Sequence, residues 1–269
     1  MFVKDGMKFI VQTVFIYRLS EEFLGASGLF TSVLGILNIA ELGIGSAISF
    51  ALYKPLAEND KDQLKALMAL YKKAYLSIGC FILVIGFILL PLLPYIVKDS
   101  IEGLNINILY LLYLTNTVCS YLFMSYKSSL LIADQKQYIV QLYYSKISII
   151  SGISQILILL IMPAKSAATY YAYTITGIFF VVLQNILISR STDEVYPYIL
   201  EKSNIPIKPE VKRKIIQNVK ALSIANVSRK ALDSIDTIII SASLVNGFAI
   251  IGKYSNYTLI VSFVKKSIY

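Results

Sequence analysis

The sequence predicts an all-α, polytopic membrane protein with about eight transmembrane helices. Three observations lead there: the composition, a series of long apolar runs parted by short polar breaks, and an uneven distribution of Lys and Arg among those breaks. The chain has 269 residues, 57% hydrophobic and 15% charged, with a mean hydropathy of +0.68. Soluble domains average roughly 45–50% apolar and 25% charged, so both shifts point to lipid as the solvent.

The elements follow in order. Residues 1–19 carry Lys4 and Lys8 ahead of an apolar stretch from Phe9 to Tyr17. The outline is that of a signal peptide, but the stretch is short, Arg18 ends it and no A-x-A site follows, so it reads as a first membrane helix over 6–19 whose start is missing. The second span is expected at 28–52. Leu64, Leu67, Met68, Tyr71 and Tyr75 recur at helical spacing after Asn59 or Asp60 as N-cap, which predicts a surface helix over 60–75. The third span, 75–97, ends near Pro91 and Pro94; the fourth covers 106–132; the fifth, 143–162, is stopped by Pro163; the sixth covers 168–189. Pro209 can start a second surface helix over 209–220, with Val211, Ile215 and Val219 as its apolar stripe. Spans seven and eight are expected at 217–241 and 247–264. Most of these reach the ~20 residues that cross a ~30 Å hydrocarbon core. Strand alternation is absent, which argues against a barrel.

The basic residues orient the map. With the N-terminus in the cytoplasm, inner segments hold 16 Lys and Arg and outer segments hold only Arg18, Lys98 and Lys165. The net charge of +9 is therefore read as topology and not as nucleic-acid binding.

Several chemistries find no footing. The chain has no His, and its two cysteines, Cys80 and Cys119, stand in apolar runs without a C-x-x-C spacing. Zinc, haem and His-based catalysis are thus excluded, and no cofactor or metal is expected. No GxxxxGK[ST] loop is present, so transport powered by a P-loop is excluded. Asp60-Lys61-Asp62 matches the D-x-D of sugar transferases, but it opens a helix, where carboxylates serve as caps.

The candidate site residues lie mostly in 218–240. At 100° per residue, Asn226, Arg229, Asp233 and Asp236 fall within roughly 80° of one another, with Lys230 beside them. The opposite faces hold Ile224, Val227, Ile235 and Ile238. Charges at membrane depth cost about 2.5–3.5 kcal/mol each on insertion scales and usually face a protein interior or aqueous cavity. Arg229 and Asp233 can pair at i, i+4, but Asn226, Ser223 and Thr237 extend the polar stripe beyond what a self-neutralising pair needs. A cavity-lining role is expected, with Arg229 and Lys230 placed to attract phosphate. Glu41 is a second candidate, as a carboxylate in mid-span beside Gly43 and Gly45; the alternative is a structural hydrogen bond. Lys127 is expected to snorkel to the inner membrane face.

Several stretches resemble, in order, the bacterial polysaccharide-export flippases of the MATE-like superfamily: Phe23-Leu24-Gly25-Ala26-Ser27-Gly28-Leu29-Phe30, Ala40-Glu41-Leu42-Gly43-Ile44-Gly45, Leu52-Tyr53-Lys54-Pro55-Leu56-Ala57-Glu58, Tyr126-Lys127-Ser128-Ser129, Ser234-Ile235-Asp236-Thr237 and Tyr254-Ser255-Asn256-Tyr257. The resemblance implies two helical lobes around a central cavity. It also implies movement of a lipid-linked oligosaccharide, typically an undecaprenyl-diphosphate repeat unit, between leaflets by alternating access. Members have about twelve to fourteen spans, so this chain is expected to hold a six-helix N-terminal lobe over 1–189, a cytoplasmic linker with its amphipathic helix over 190–216, and the first two helices of a second lobe over 217–269. Family members often carry an Arg where this chain has Gln12.

On this reading the chain is not an enzyme. It sits in the bacterial cell membrane with its N-terminus in the cytoplasm. Its partners are membrane lipids, the lipid-linked oligosaccharide, H+ or Na+ as coupling ion, and glycosyltransferases or polymerases; nucleic acid is not among them. The alternatives are a drug/cation antiporter of the same superfamily, disfavoured by the Arg-Lys pair, and a non-transporting truncated scaffold.

Overall fold

The structure is a computed structural model. It describes residues 2–38, 44–97, 99, 101–122, 125–201, 206–243 and 246–268, with side chains of 2–5, 125, 224–234, 243 and 262–268 outside the described part. Among the described residues every regular element is a helix. The first helices are α1 (Phe2–Arg18), α2 (Glu21–Leu37), α3 (Ile44–Ala57), α4 (Lys61–Leu89) and, after a 3-10 turn, α5 (Leu93–Ile96). Next come α6 (Ile106–Leu122), the short α7 (Ser128–Ala133), α8 (Gln137–Ile161), α9 (Ala167–Val195), α10 (Pro209–Ser243) and α11 (Gly247–Ile268).

Three stretches, Lys61–Ile96, Gln137–Ile161 and Ala167–Val195, are long and apolar enough to cross a membrane, and Ile106–Leu122 is a shorter apolar helix. In α4 the residues Leu64, Leu67, Tyr71, Tyr75, Ile78 and Ile82 form a buried stripe at helical spacing. The other face exposes Phe81, Val84, Phe87 and Ile88. A helix apolar on both faces suits protein on one side and hydrocarbon on the other.

Boundaries differ from the sequence expectation in a consistent way. No breaker separates 60–75 from 75–97, so the surface helix and the span are one helix, α4, capped by the Asp60 side chain accepting from the Gln63 amide at 3.0 Å. The same holds for 209–220 and 217–241, which merge into α10 starting at Pro209. Conversely, 28–52 divides into α2 and α3. α2 starts seven residues earlier than expected, because Glu21 and Glu22 in its first turn complement the helix dipole. Of the expected 106–132, α6 covers Ile106–Leu122, a 3-10 turn covers Ser125–Lys127 and α7 covers Ser128–Ala133.

α2 lies along α11, α1 along α8, and α8 along α9; α4 packs on α3 and α6, and α10 on α2, α3 and α11. Two glycines permit the α2–α11 approach. A Cβ on Gly25 would sit 1.8 Å from the Phe248 carbonyl oxygen, and one on Gly252 would sit 2.1 Å from that of Glu21. Aromatic side chains fill the interior elsewhere. Tyr71 stacks on Tyr75 with centroids 5.1 Å apart and donates its hydroxyl to the Gly45 carbonyl at 2.9 Å. Phe15 meets Tyr170 and Tyr173 edge-on at 5.6 and 5.0 Å.

Polar anchors fix the helix ends. The Arg18 guanidinium donates to the carbonyls of Leu159 (2.7 Å), Leu160 (3.3 Å) and Met162 (2.9 Å), the C-terminus of α8. A cation there satisfies orphan carbonyls and complements the negative end of the dipole. Asp99 accepts from the backbone amides of Asn246 (3.1 Å) and Phe248 (2.6 Å), holding the start of α11.

Candidate functional site

Among the described residues, chambers open between the helices. The first, about 440 Å³, lies among α1, α2, α6, α8 and α9. The second, about 560 Å³, lies among α1, α2, α9, α10 and α11. Lys8, Gln12, Leu24, Ser27 and Tyr173 line both, so the chambers share a wall built mainly from α1 and α2. Helical spacing puts the lining in place. Lys8, Gln12 and Phe15 recur along α1; Ser148, Ser151, Gly152 and Gln155 along α8; Tyr173, Thr174, Gly177 and Val181 along α9; Tyr254, Ser255 and Thr258 along α11.

The wall is hydrogen-bonded. Gln12 Nε2 donates to Asn256 Oδ1 at 3.0 Å, joining α1 to α11. The hydroxyls of Ser27 and Tyr113 are paired, and Tyr113 Oη is 3.3 Å from Tyr170 Oη. Gln155 Nε2 reaches the Tyr173 carbonyl at 3.5 Å, the long limit of a hydrogen bond. Asn116 lines the first chamber, and its Oδ1 is buried with no hydrogen-bond partner among the described residues. The arrangement offers amide, hydroxyl and aromatic groups to a ligand. Among the described residues no cluster of His, Cys, Asp or Glu could hold a metal ion.

The sequence-predicted residues are distributed as follows. Asn226, Arg229, Lys230 and Asp233 fall within the continuous helix α10, and their side chains lie outside the described residues, as does Glu41 entirely. Asp236 is exposed. Its neighbour Thr237 is buried and lines the second chamber, and one turn on Ser241 donates to the Ile96 carbonyl at 2.9 Å. The end of the polar stripe on α10 thus contributes Thr237 to the second chamber.

Lys127 does not snorkel. Its side chain is 6% exposed and its Nζ is 2.6 Å from both carboxylate oxygens of Asp193. Lys127 ends the 3-10 turn Ser125–Lys127 just ahead of α7, and its ammonium reaches Asp193 on α9. Nearby, Asp134 accepts from Lys136 at 2.7 Å and from the Tyr196 hydroxyl at 2.5 Å. Burial pushes the Asp134 carboxyl up, but those two hydrogen bonds and the Lys136 charge outweigh it and hold it below its ordinary value. Burial and the same carboxylate push the Tyr196 phenol up.

A third cavity, about 270 Å³, lies where α3, α4 and α10 meet. Lys54, Lys208 and Lys214 there are matched by Glu58, Asp60 and Glu210, with Lys208 Nζ 3.7 Å from Asp60 Oδ2.

Sequence reasoning missed most of the chamber lining. Gln12 was noted only as a departure from a resemblance, and Asn116, Gln155 and Tyr173 were not singled out. The signal was present in α8 as Ser148, Ser151 and Gln155, polar residues at i, i+3 and i+7 within a membrane-length helix. No protein-family model matches this sequence, and no curated protein or solved structure matches it either.

Proposed function

We propose that this chain moves a lipid-linked polysaccharide repeat unit, an oligosaccharide carried on undecaprenyl diphosphate, across the bacterial cell membrane by alternating access. The observation that carries the reading is the pair of chambers that share one wall, carry amide and hydroxyl groups among apolar side chains, and lie between helices with exposed apolar faces. A sugar head cannot cross hydrocarbon without hydrogen-bond partners, because each unsatisfied polar group there costs several kcal/mol. Amides and hydroxyls on the chamber walls supply such partners, while the polyprenyl tail remains in lipid.

In this proposal α1 through α11 form about eight membrane crossings with the N-terminus inside. The first six make one lobe over 1–189; 190–216 is the linker; 217–269 begins a second lobe. Arg229 and Lys230 meet the diphosphate. Asn226, Asp233, Asp236 and Glu41 keep the path polar and link transport to H+ or Na+. The cargo arrives from glycosyltransferases and passes to a polymerase.

The test is surface polymer in the native host after chromosomal replacement by Arg229→Gln/Lys230→Gln, at equal membrane abundance. A drop of ten-fold or more is expected. Unchanged polymer removes the role of the pair. Unchanged polymer combined with resistance to cationic drugs on overexpression assigns the chain to antiport instead.

A further inference from the structure

We infer that the first chamber is a subsite for an uncharged, amide-bearing sugar ring, recognised by Asn116, Gln155 and Tyr173; the inference rests on the transport reading and specifies which part of the cargo enters which chamber. Three observations carry it. The first is charge. Among the described residues, the first chamber's lining contains no carboxylate, and its one cation is the exposed Lys8. Lys8 is the one counter-ion an anion would meet there; a uronic acid or a diphosphate moved in among Asn116, Ser151 and Gln155 would lose water without gaining another, which is costly for an anion.

The second is hydrogen-bond demand. Asn116 lines the chamber, and its buried Oδ1 has no hydrogen-bond partner among the described residues, so a turn of the amide would bring an unsatisfied acceptor to a ligand. Among the described residues Gln155 is held by one 3.5 Å contact to the Tyr173 carbonyl, so its amide can turn to a ligand at little cost. Ser148 and Ser151 add hydroxyls on the same face of α8. Primary amides both donate and accept, which suits the hydroxyls and the acetamido group of an N-acetylated sugar.

The third is shape. The chamber volume of about 440 Å³ lies within the range of small-molecule sites, roughly 300–1,000 Å³. Tyr173 lines it as well, beside Phe15, and an aromatic ring there suits the apolar C–H face of a pyranose. Gln12 ties the subsite to movement. Its amide now bonds Asn256, so a sugar that recruits Gln12 weakens the link between α1 and α11.

The experiment uses the full chain in lipid nanodiscs, with methyl N-acetylglucosaminide as the neutral probe and methyl glucuronide as the acidic one, read by saturation-transfer NMR. Saturable binding of the neutral probe is expected, at least ten-fold tighter than the acidic one. Asn116→Leu and Gln155→Ala, each checked for monodispersity, should each weaken it ten-fold or more. The second variant, at a partly exposed position, keeps the test open if the first does not fold. Equal binding of both probes, or binding indifferent to both variants, overturns the inference. If no sugar binds while the wild-type chain still supports surface polymer, the subsite is wrong and the transport reading stands. If polymer is independent of the chain as well, both fall.

Discussion

Placing a methyl group on Gly25 gives the sharpest test of how α2 and α11 are joined. The new Cβ would lie 1.8 Å from the Phe248 carbonyl oxygen, 2.5 Å from its carbon and 2.8 Å from its Cα. Real Cβ contacts essentially never fall under 3.0 Å, so the helices must part by about 1.2 Å, and all three obstacles are backbone atoms that no rotamer change removes. Overpacking of this kind costs about 1–3 kcal/mol. At about 2–4 °C per kcal/mol for a chain of this size, Gly25→Ala should lower the melting temperature by roughly 2–12 °C. Gly252→Ala meets the Glu21 carbonyl at 2.1 Å across the same helix pair. Once the first methyl has parted the helices, the second finds space already open. The double variant should therefore lose less than the two singles combined, with a coupling of about 0.5–3 kcal/mol. The control is Gly6→Ala in α1, where a Cβ meets nothing within 4 Å. The assay is size-exclusion recovery of detergent-solubilised protein after graded heating. A Gly25→Ala protein that melts with the Gly6→Ala control, or a strictly additive double variant, would falsify the close-approach account.

Four further outcomes follow from the polar anchors. Arg18→Lys should lower thermal stability nearly as far as Arg18→Met, by about 1–2 kcal/mol, because a single ammonium cannot span the three carbonyls that the guanidinium reaches; full recovery with Lys would refute this. Lys127→Met alone leaves Asp193 without its cation and should cost about 3 kcal/mol, whereas Lys127→Met with Asp193→Leu should recover most of that in the same melt; equal loss in both would show that the pair is not what matters. Asp134 has a folded pKa below its unfolded value, so its contribution is present above about pH 3.9 and is lost as pH falls through the lowered value; Tyr196→Phe should flatten the acid limb of a stability-versus-pH series below pH 4, and an unchanged limb argues against the link. Gln12→Leu and Asn256→Leu should each weaken the α1–α11 joint by about 0.5–1.5 kcal/mol and be non-additive in a double-mutant cycle; additive losses would mean that the 3.0 Å bond contributes nothing.

The helical class was readable because apolar runs and punctuation are local. Pro209 at the start of α10, Asp60 as a cap and Pro163 after α8 act within one turn of themselves, and all three fall where expected. Joins and breaks were harder. The merging of 60–75 with 75–97 leaves no local mark, because Lys72 and Lys73 read equally well as a polar break or as exposed positions on a longer helix. The partner of Lys127 could not be read at all, since Asp193 is 66 residues away and only the fold brings them together. The chamber lining was hidden for a related reason. Ser, Gln and Asn at membrane depth carry no charge to draw notice, and attention went to the charged stripe on α10.

The Gly25–Gly252 crossing also has a history in time. The two glycines are separated by nearly the whole length of the chain. A ribosome adding about 5–20 residues per second delivers the second some ten to fifty seconds after the first. Through that interval α2 is already made, with its glycine face lacking the surface it is shaped to meet. Whatever shelters that face, whether lipid, an insertase or a neighbouring helix in provisional contact, must release it when α11 emerges. The α2–α11 joint therefore closes long after α2 is made, and a methyl at Gly25 should show itself in the membrane-protein quality-control system as well as in the melting curve.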